Sequence, residues 1–515
     1  MAEPRLLLAL DSGTQSSRAL LFDEHGTILS IGRKQHAPMK FPSPGAVEQD
    51  PHDIRDALYH GIRECLQQWG GDPSQIAGAA LTTQRNTVLP LAEDGSPLMD
   101  AVSWLDRRTA GVDSEPTGWL RFLLKAMGKN AMISRLLAKS WPRIWREQIP
   151  EVVGRMHRIA PIEGWLNHEL TGNVAAAPGG LVGLWPLDVK RLDWDKKQIM
   201  HKMLGYRREW LPDIVQPGQL VGKLREEAAQ ATGLPAGLPV YACGGDKQAE
   251  ALGGGALSTE RGVAAISLGT GSSICVPWPT ALSSRKYLWV TMAAAEPGAY
   301  SLEYLLFRGM WTARWFAREL ARDLEAVAEQ TGRAVEAMLC DEAATVPAGS
   351  DGLMVWPRWS PTLQHPLETG AAVGLRETHT RAHFFRALLE GIAFDLRRGL
   401  GILEKGAGMN IERIIVAGGG SRSDIVVQIL ADVLGLPVTR PESEELSALG
   451  AAMVAALGAG IHPTPAAAVE AMRGPTAEIK PQPETAAHYD RIYRKVYLPG
   501  LKSCHRISAT LSHAR

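Results

Sequence analysis

The chain has 515 residues, enough for two to four domains, and its 45% hydrophobic and 21% charged content is that of an ordinary globular protein. A formal net charge of +0 excludes a general nucleic-acid-binding or acidic-partner surface, although a local patch can sit inside a neutral total. The five cysteines (Cys65, Cys243, Cys275, Cys340, Cys504) are scattered, with no pair at metal-ligand spacing, which predicts reduced thiols in a cytoplasmic protein.

Met1-Ala2-Glu3-Pro4-Arg5 leads into a short apolar strand and lacks the apolar region and cleavage site of a signal peptide. That strand, Leu6 to Leu10, enters the turn Asp11-Ser12-Gly13-Thr14-Gln15-Ser16-Ser17-Arg18, and Ala19 to Phe22 leaves it. Two strands joined by a hydroxyl-rich glycine turn form a hairpin whose backbone N–H groups can point at an anion. Asp11, at the strand end, can hold a hydrated Mg²⁺. An ordinary hairpin with a polar turn fits the same residues. A strand over Thr27 to Gly32 follows, then an amphipathic helix to Trp69 with Ile54, Leu58, Ile62, Cys65 and Leu66 on one face. Asp50 is its N-cap and Pro51 its first residue. Ile76 to Leu81 is the next buried strand and ends at Thr82-Thr83-Gln84-Arg85-Asn86. Gln84-Arg85-Asn86 and Trp104-Leu105-Asp106-Arg107-Arg108 make a polyol site, with polar partners for hydroxyls and an aromatic face for C–H edges. Arg107 and Arg108 also fit a solvated surface pair. Asp113 to Leu211, rich in Trp and Arg, reads as a helical insertion that shapes a substrate cleft.

Pro235 to Tyr241 leads into Gly244-Gly245-Asp246, then a helix from Lys247 to Leu252 closed by Gly253-Gly254-Gly255, a natural domain junction. Asp246 sits at a helix mouth, where it can cap the helix or take a proton from an attacking hydroxyl. Gly262 to Val276 repeats the first hairpin, with Gly269-Thr270-Gly271-Ser272 as its turn. Two such hairpins predict a duplicated fold with a phosphate held between the copies. A helix spans His383 to Lys405 and a strand Arg413 to Ala417. Gly418-Gly419-Gly420 and a helix from Ser423 to Leu434 follow, a loop that admits a base or ribose or merely turns tightly. No Walker-type GxxxxGK[ST] occurs. The Gly/Ala-rich stretch Gly450 to Gly460 is a buried helix and not a membrane span. Pro463 opens a Pro/Ala-rich tail that becomes a helix through Tyr489, Ile492, Tyr493 and Val496, with Ser508 to Arg515 as a mobile end. The expected units are residues 1–255, 256–462 and 463–515.

In this order, the segments resemble the FGGY carbohydrate kinases of the actin-like ATPase superfamily. The first half is most similar to glycerol kinase and the segment from Ala417 to Leu434 to the xylulokinase style. The resemblance implies two ribonuclease H-like α/β domains with a cleft between them: the first binds the sugar and the second binds ATP. It implies that ATP phosphorylates a hydroxyl of a small sugar or polyol, a ketopentose such as xylulose or a glycerol-like polyol. Asp246 would be the general base, and Asp11 and Asp246 would hold Mg²⁺. Thr14, Gln15, Arg18, Gly269, Thr270 and Gly271 would line the phosphates. Gly419, Gly420, Ser421 and Asp424 would line the adenosine site. Arg85, Asn86, Trp104, Asp246 and Lys247 would contact the substrate. The partner implied is a small molecule, with no nucleic acid and no membrane, and a homodimer is open. A nucleotide-switched binding protein or a non-catalytic sensor on the same fold is the alternative. The chain departs from glycerol kinases at Thr83 (Asn there), at Asn86 (an acid there) and at Lys247 (Gln there). The loop from Trp356 to Pro361 lacks the usual acid and Ala-Arg-Gly pattern. Lys247 could pair with a sugar acid or lower the pKa of Asp246.

Overall fold

The computed structural model describes residues 5–111, 130–197, 199–284, 288–360, 365 and 367–513. Two large sheets organise it. The first contains β1 (Leu6–Ser12), β2 (Ser16–Phe22), β3 (Ile28–Gln35), β4 (Ile76–Thr83), β5 (Leu220–Lys223) and β6 (Pro239–Gly245), in the order β5-β6-β4-β1-β2-β3. The second contains β7 (Val263–Leu268), β8 (Ser272–Trp278), β9 (Val290–Ala293), β10 (Tyr300–Leu306), β11 (Arg413–Ala417), β12 (Val438–Pro441) and β13 (Thr476–Ile479), in the order β9-β10-β8-β7-β11-β12-β13.

The duplication expected from the two hairpins is visible strand by strand. In the first sheet β1, β4 and β6 run parallel, with antiparallel β2 and β3 on one side and antiparallel β5 on the other. In the second, β7, β11 and β12 run parallel, with β8 and β10 antiparallel on one side and β13 on the other. Strand β9 extends the second sheet by one. This is the duplicated ribonuclease H-like α/β arrangement. Each parallel strand is buried on both faces, which is why β1 and β7 are nearly continuous apolar runs.

Helix α1 (Pro51–Trp69) starts where the sequence placed it. The Asp50 carboxylate accepts from the His52 N–H at 2.9 Å, and Gly70 closes the far end with φ 69°. Helices α2 (Asp246–Gly253) and α5 (Leu446–Gly458) join the halves; α3 (Arg381–Ala407) and α4 (Asp424–Leu434) cover the second sheet. Helices α2 and α5 cross with their backbones touching. A Cβ on Gly450 would lie 2.0 Å from the Ala249 carbonyl oxygen, and one on Gly253 would lie 2.1 Å from that of Leu446. Residues Leu446 to Ala456 are all buried. Among the described residues no helix is long and apolar enough to cross a membrane.

Three expectations change. Part of the insertion placed at Asp113 to Leu211 lies outside the described residues. The rest is interrupted by first-half structure. Arg158–Pro161 pairs with Val88–Leu91, and the helix Ile162–Thr171 buries Trp165, Leu166 and Leu170 against Leu8, Leu10 and Ile54. The tryptophans expected along a cleft are core instead. Trp141, Trp145, Trp185, Trp194 and Trp210 are buried together with Ile144 and Leu204, because indole area is worth more out of water. The C-terminal stretch supplies strand β13, and its Tyr489 and Tyr497 are fully buried beside Phe394. Its expected mobile end is helical to His513, and the Ser508 hydroxyl accepts from the Thr369 N–H at 3.3 Å. All five cysteines are buried and free.

Candidate active site

The first hairpin positions an acid and a base pair across its strands. Asp11 and Arg18 are register partners, and Arg18 donates from Nε at 3.0 Å and from Nη2 at 2.7 Å to Asp11 Oδ2. Arg18 also reaches Glu445, at the entry to α5, at 2.5 Å, and Glu445 pairs with Arg33 at 3.1 Å. Burial raises the pKa of Asp11; Arg18 pulls it down and the nearby Asp246 charge pushes it up again. Thr14 tops the turn. Its hydroxyl accepts from Trp104 Nε1 at 3.0 Å and its carbonyl accepts from Gln49 Nε2 at 2.9 Å.

Strand β4 delivers Arg85 and Asn86 to the same place. Asn86 has φ 60°, a left-handed conformation that asparagine tolerates well. Arg85 is pinned: Nη1 donates to Glu303 Oε2 at 2.8 Å, and Nε lies 3.7 Å from Asp246 Oδ1. Burial works against the Arg85 charge, but Glu303 and Asp246 outweigh it and hold its pKa above the ordinary value.

Strand β6 ends in glycine and α2 begins with Asp246. Gly245 is the N-cap, so Asp246 sits in the first turn with its carboxylate a quarter exposed and does not cap the helix. Lys247 Nζ donates to Glu250 at 3.0 Å and to the Ser267 hydroxyl at 2.9 Å, and lies 3.8 Å from Asp246 Oδ2. Burial opposes its charge, and Glu250 and Asp246 more than restore it, raising its pKa.

The second hairpin completes the enclosure. The carbonyls of Gly269 and Thr270 accept from Met310 and Trp311 N–H groups at 3.1 Å, fixing the turn from behind. The glycine loop lies against it. Gly418 has φ 81°, and a Cβ there would lie 3.0 Å from the Leu268 carbonyl carbon. A cavity of about 250 Å³ opens between the halves. Thr14, Arg85, Asn86, Trp104, Asp246 and Lys247 line it from the first half; Thr270 and Gly271 line it from the second, with Leu305, Leu306 and Phe307 as an apolar wall. A second cavity of about 450 Å³ is lined by Gly418, Ser421 and Asp424 together with Arg440 and Glu444. Of the expected site residues, Gln15, Arg18 and Gly269 are not among the walls of either cavity, and the Gln15 side chain is exposed; Asp424 lines the second cavity with its side chain 89% exposed and bound to Arg440. Gly419 and Gly420 are not among the walls of that cavity.

Residues 6–253 match the N-terminal domain of the FGGY family of carbohydrate kinases, and residues 264–459 match its C-terminal domain. The chain belongs to the FGGY family of carbohydrate kinases. FGGY kinases are phosphotransferases that act on a hydroxyl acceptor and use ATP as phosphate donor. This FGGY kinase is 27% identical to "Uncharacterized sugar kinase YgcE" of Escherichia coli (strain K12), over 96% of this chain and 92% of that protein. It is 32% identical to a glycerol kinase of Dechloromonas aromatica (strain RCB), over 88% of this chain and 89% of that one. Among solved structures it is similar to the xylulose kinase from Rhodospirillum rubrum, at TM-score 0.80 and 27% identity, covering 98% of this chain and 100% of that one.

Sequence reasoning did not single out Glu303, Glu250 or Glu445. Glu303 is the one acid in the strand Tyr300–Leu306, which is otherwise built to be buried. A lone buried acid demands a partner, and that demand was the available signal. In this FGGY kinase the partner is Arg85, 218 residues away in sequence.

Proposed function

We propose that this kinase transfers the γ-phosphoryl group of ATP to a hydroxyl of a small uncharged sugar or polyol, a ketopentose such as xylulose or a glycerol-like polyol, with Asp246 as general base. One observation carries the reading: the Asp246 carboxylate faces a cavity that both hairpins line, so a hydroxyl and a phosphate can meet beside it. Phosphoryl transfer needs little more from a protein than alignment and charge balance. The acceptor hydroxyl gives its proton to Asp246 as its oxygen bonds to the γ-phosphorus, and ADP leaves with the electron pair of the broken P–O bond. Thr14, Thr270 and Gly271 flank the phosphate. Arg85 and Asn86 hold acceptor hydroxyls. Trp104, whose N–H is committed to Thr14, offers its ring face to C–H groups.

The charge balance favours a neutral acceptor. Among the described residues the cations lining the cavity are Arg85 and Lys247, and Glu303 and Glu250 already match them. A sugar carboxylate would have to break one of those pairs. Mg²⁺ fits the residues present. Arg18 occupies only the Oδ2 oxygen of Asp11, which leaves Oδ1 as a hard oxygen donor, and the Asp246 carboxylate in the cavity wall offers a second. When bound, the ion would offset charge on the phosphate oxygens. The adenosine would lie along Gly418, Ser421 and Asp424.

The test is ADP release with Mg²⁺-ATP and glycerol, erythritol, D-xylulose, gluconate or no acceptor. Turnover should appear with a neutral acceptor and fall about 10²–10⁴-fold in Asp246→Asn, with ATP binding retained. A preference for gluconate would overturn the neutral-acceptor reading. Asp246→Asn activity above about a hundredth of wild type would overturn the general base.

A further inference from the structure

The contact between Arg85 and Glu303 spans the two halves of the molecule. Arg85 follows β4 of the first sheet, and Glu303 lies on β10 of the second. Glu303 is 1% exposed and both its oxygens are held. Oε2 accepts from Arg85 Nη1 at 2.8 Å, and Oε1 accepts from Gln248 Nε2 at 2.6 Å. Gln248 belongs to α2, two residues after Asp246. Glu303 also stands opposite Cys275 on β8, the strand that leaves the Gly269-Thr270-Gly271 turn. One carboxylate therefore touches the loop that holds the acceptor, the helix that carries the base and the sheet that carries the second phosphate turn.

A guanidinium is planar with five N–H donors in a fixed fork, so anchoring one edge sets the direction of the rest. Gly245 makes room for this pose, because a Cβ there would lie 2.4 Å from Arg85 Cδ. We infer that Glu303 is a positioning residue for the acceptor: from the second half it aims the Arg85 guanidinium into the cavity, so that the acceptor site is complete only when the two halves meet around it. The inference rests on the reading that Arg85 contacts the acceptor. It assigns the second half a part in acceptor recognition as well as nucleotide binding. A carboxylate that merely stabilised the fold would also bind Arg85, so the distinction is kinetic.

The experiment uses the full chain, Mg²⁺-ATP, and glycerol, erythritol and D-xylulose as acceptors. Glu303→Gln, Glu303→Asp, Arg85→Gln and the double variant Glu303→Gln with Arg85→Gln are compared with wild type. Glu303→Gln should raise the acceptor KM at least tenfold and leave the ATP KM within twofold. Glu303→Asp, which keeps the charge, should recover part of that loss. The double variant should be no worse than Arg85→Gln alone, because Glu303 acts through Arg85. Should Glu303→Gln fail to fold, an acceptor KM for Glu303→Asp equal to that of wild type would overturn the inference. An equal change in the ATP KM, or full multiplication of the two single effects, would overturn it as well. Wild-type turnover with an unaffected Glu303→Gln removes this inference alone. No wild-type turnover with any of these acceptors removes the neutral-acceptor reading and the inference together.

Discussion

A methyl group added at Gly245 should disable the acceptor site while leaving the chain folded. The Gly245 backbone, at φ −74° and ψ 153°, is one alanine adopts without strain. The cost is therefore contact. The new Cβ would lie 2.4 Å from Arg85 Cδ, 2.5 Å from Arg85 Cγ and 2.8 Å from Gln248 Oε1. Carbon atoms sit comfortably about 3.5 Å apart, so the Arg85 stem must retreat by about 1 Å. Its tip is held at 2.8 Å by Glu303, and the retreat tilts or breaks that bond. Overpacking of this kind costs about 1–3 kcal/mol of stability, which a chain of this size survives. A 1 Å error in aim costs on the order of 10²-fold in rate, about 2.7 kcal/mol of barrier. Gly245→Ala should therefore lose about 10²-fold in acceptor kcat/KM with ATP binding intact, read by steady-state kinetics beside nucleotide titration and a melting curve. A kcat/KM within about threefold of wild type would refute the claim that Arg85 must lie over Gly245.

Trp104→Phe keeps an aromatic face but removes the N–H that Thr14 accepts at 3.0 Å; a hydrogen bond worth about 1 kcal/mol predicts about a fivefold loss in kcat/KM. Unchanged kinetics would separate Thr14 from Trp104. Arg358 is buried and bound to Glu368 at 2.8 Å and Asp395 at 2.7 Å, so Arg358→Met should take the guanidinium partner from two buried carboxylates. A loss of about 3–5 kcal/mol is expected from urea unfolding, and a midpoint near that of wild type would contradict it. Burial pushes the Glu163 carboxyl up to about 8 from an ordinary 4.5, against hydrogen bonds from the Ala177 and Gly244 N–H groups. Between those two values the folded state holds a proton that the unfolded chain has released, so stability is full below pH 4.5 and falls as pH rises toward 8. Glu163→Gln should flatten that decline, and an unaltered pH–stability curve would show that Glu163 does not cause it.

Much of the fold was legible because it is local. The hairpin at Asp11 to Arg18, the cap at Asp50 and the strand ending before Gly418 are each set by neighbours in sequence. Asp246 could be picked out from two glycines and a helix start. What escaped was set by distance. Nothing near Glu303 or Glu445 indicates that they reach Arg85 and Arg18 from the other half. Composition misled at the tryptophans. A Trp-rich stretch suits a sugar cleft and a core equally, and burial of the indoles decided for the core. The loop after Trp356 looked merely deviant, yet Arg358 there anchors a buried network with Glu368 and Asp395.

At the crossing of α2 and α5 no side chain separates the two backbones. Helix α5 follows β12 in sequence but covers the first sheet, where its Leu449, Met453 and Val454 lie against Leu7, Ala9, Leu20 and Phe22. The chain is thus stitched: a piece encoded late closes the sheet encoded early. Chimeras between relatives should respect that stitch. A donor C-terminal half grafted at the glycine run after α2 would bring a foreign α5 to a sheet it was not shaped for. The graft that keeps the seam intact moves α5 with the sheet it covers rather than with the strand it follows.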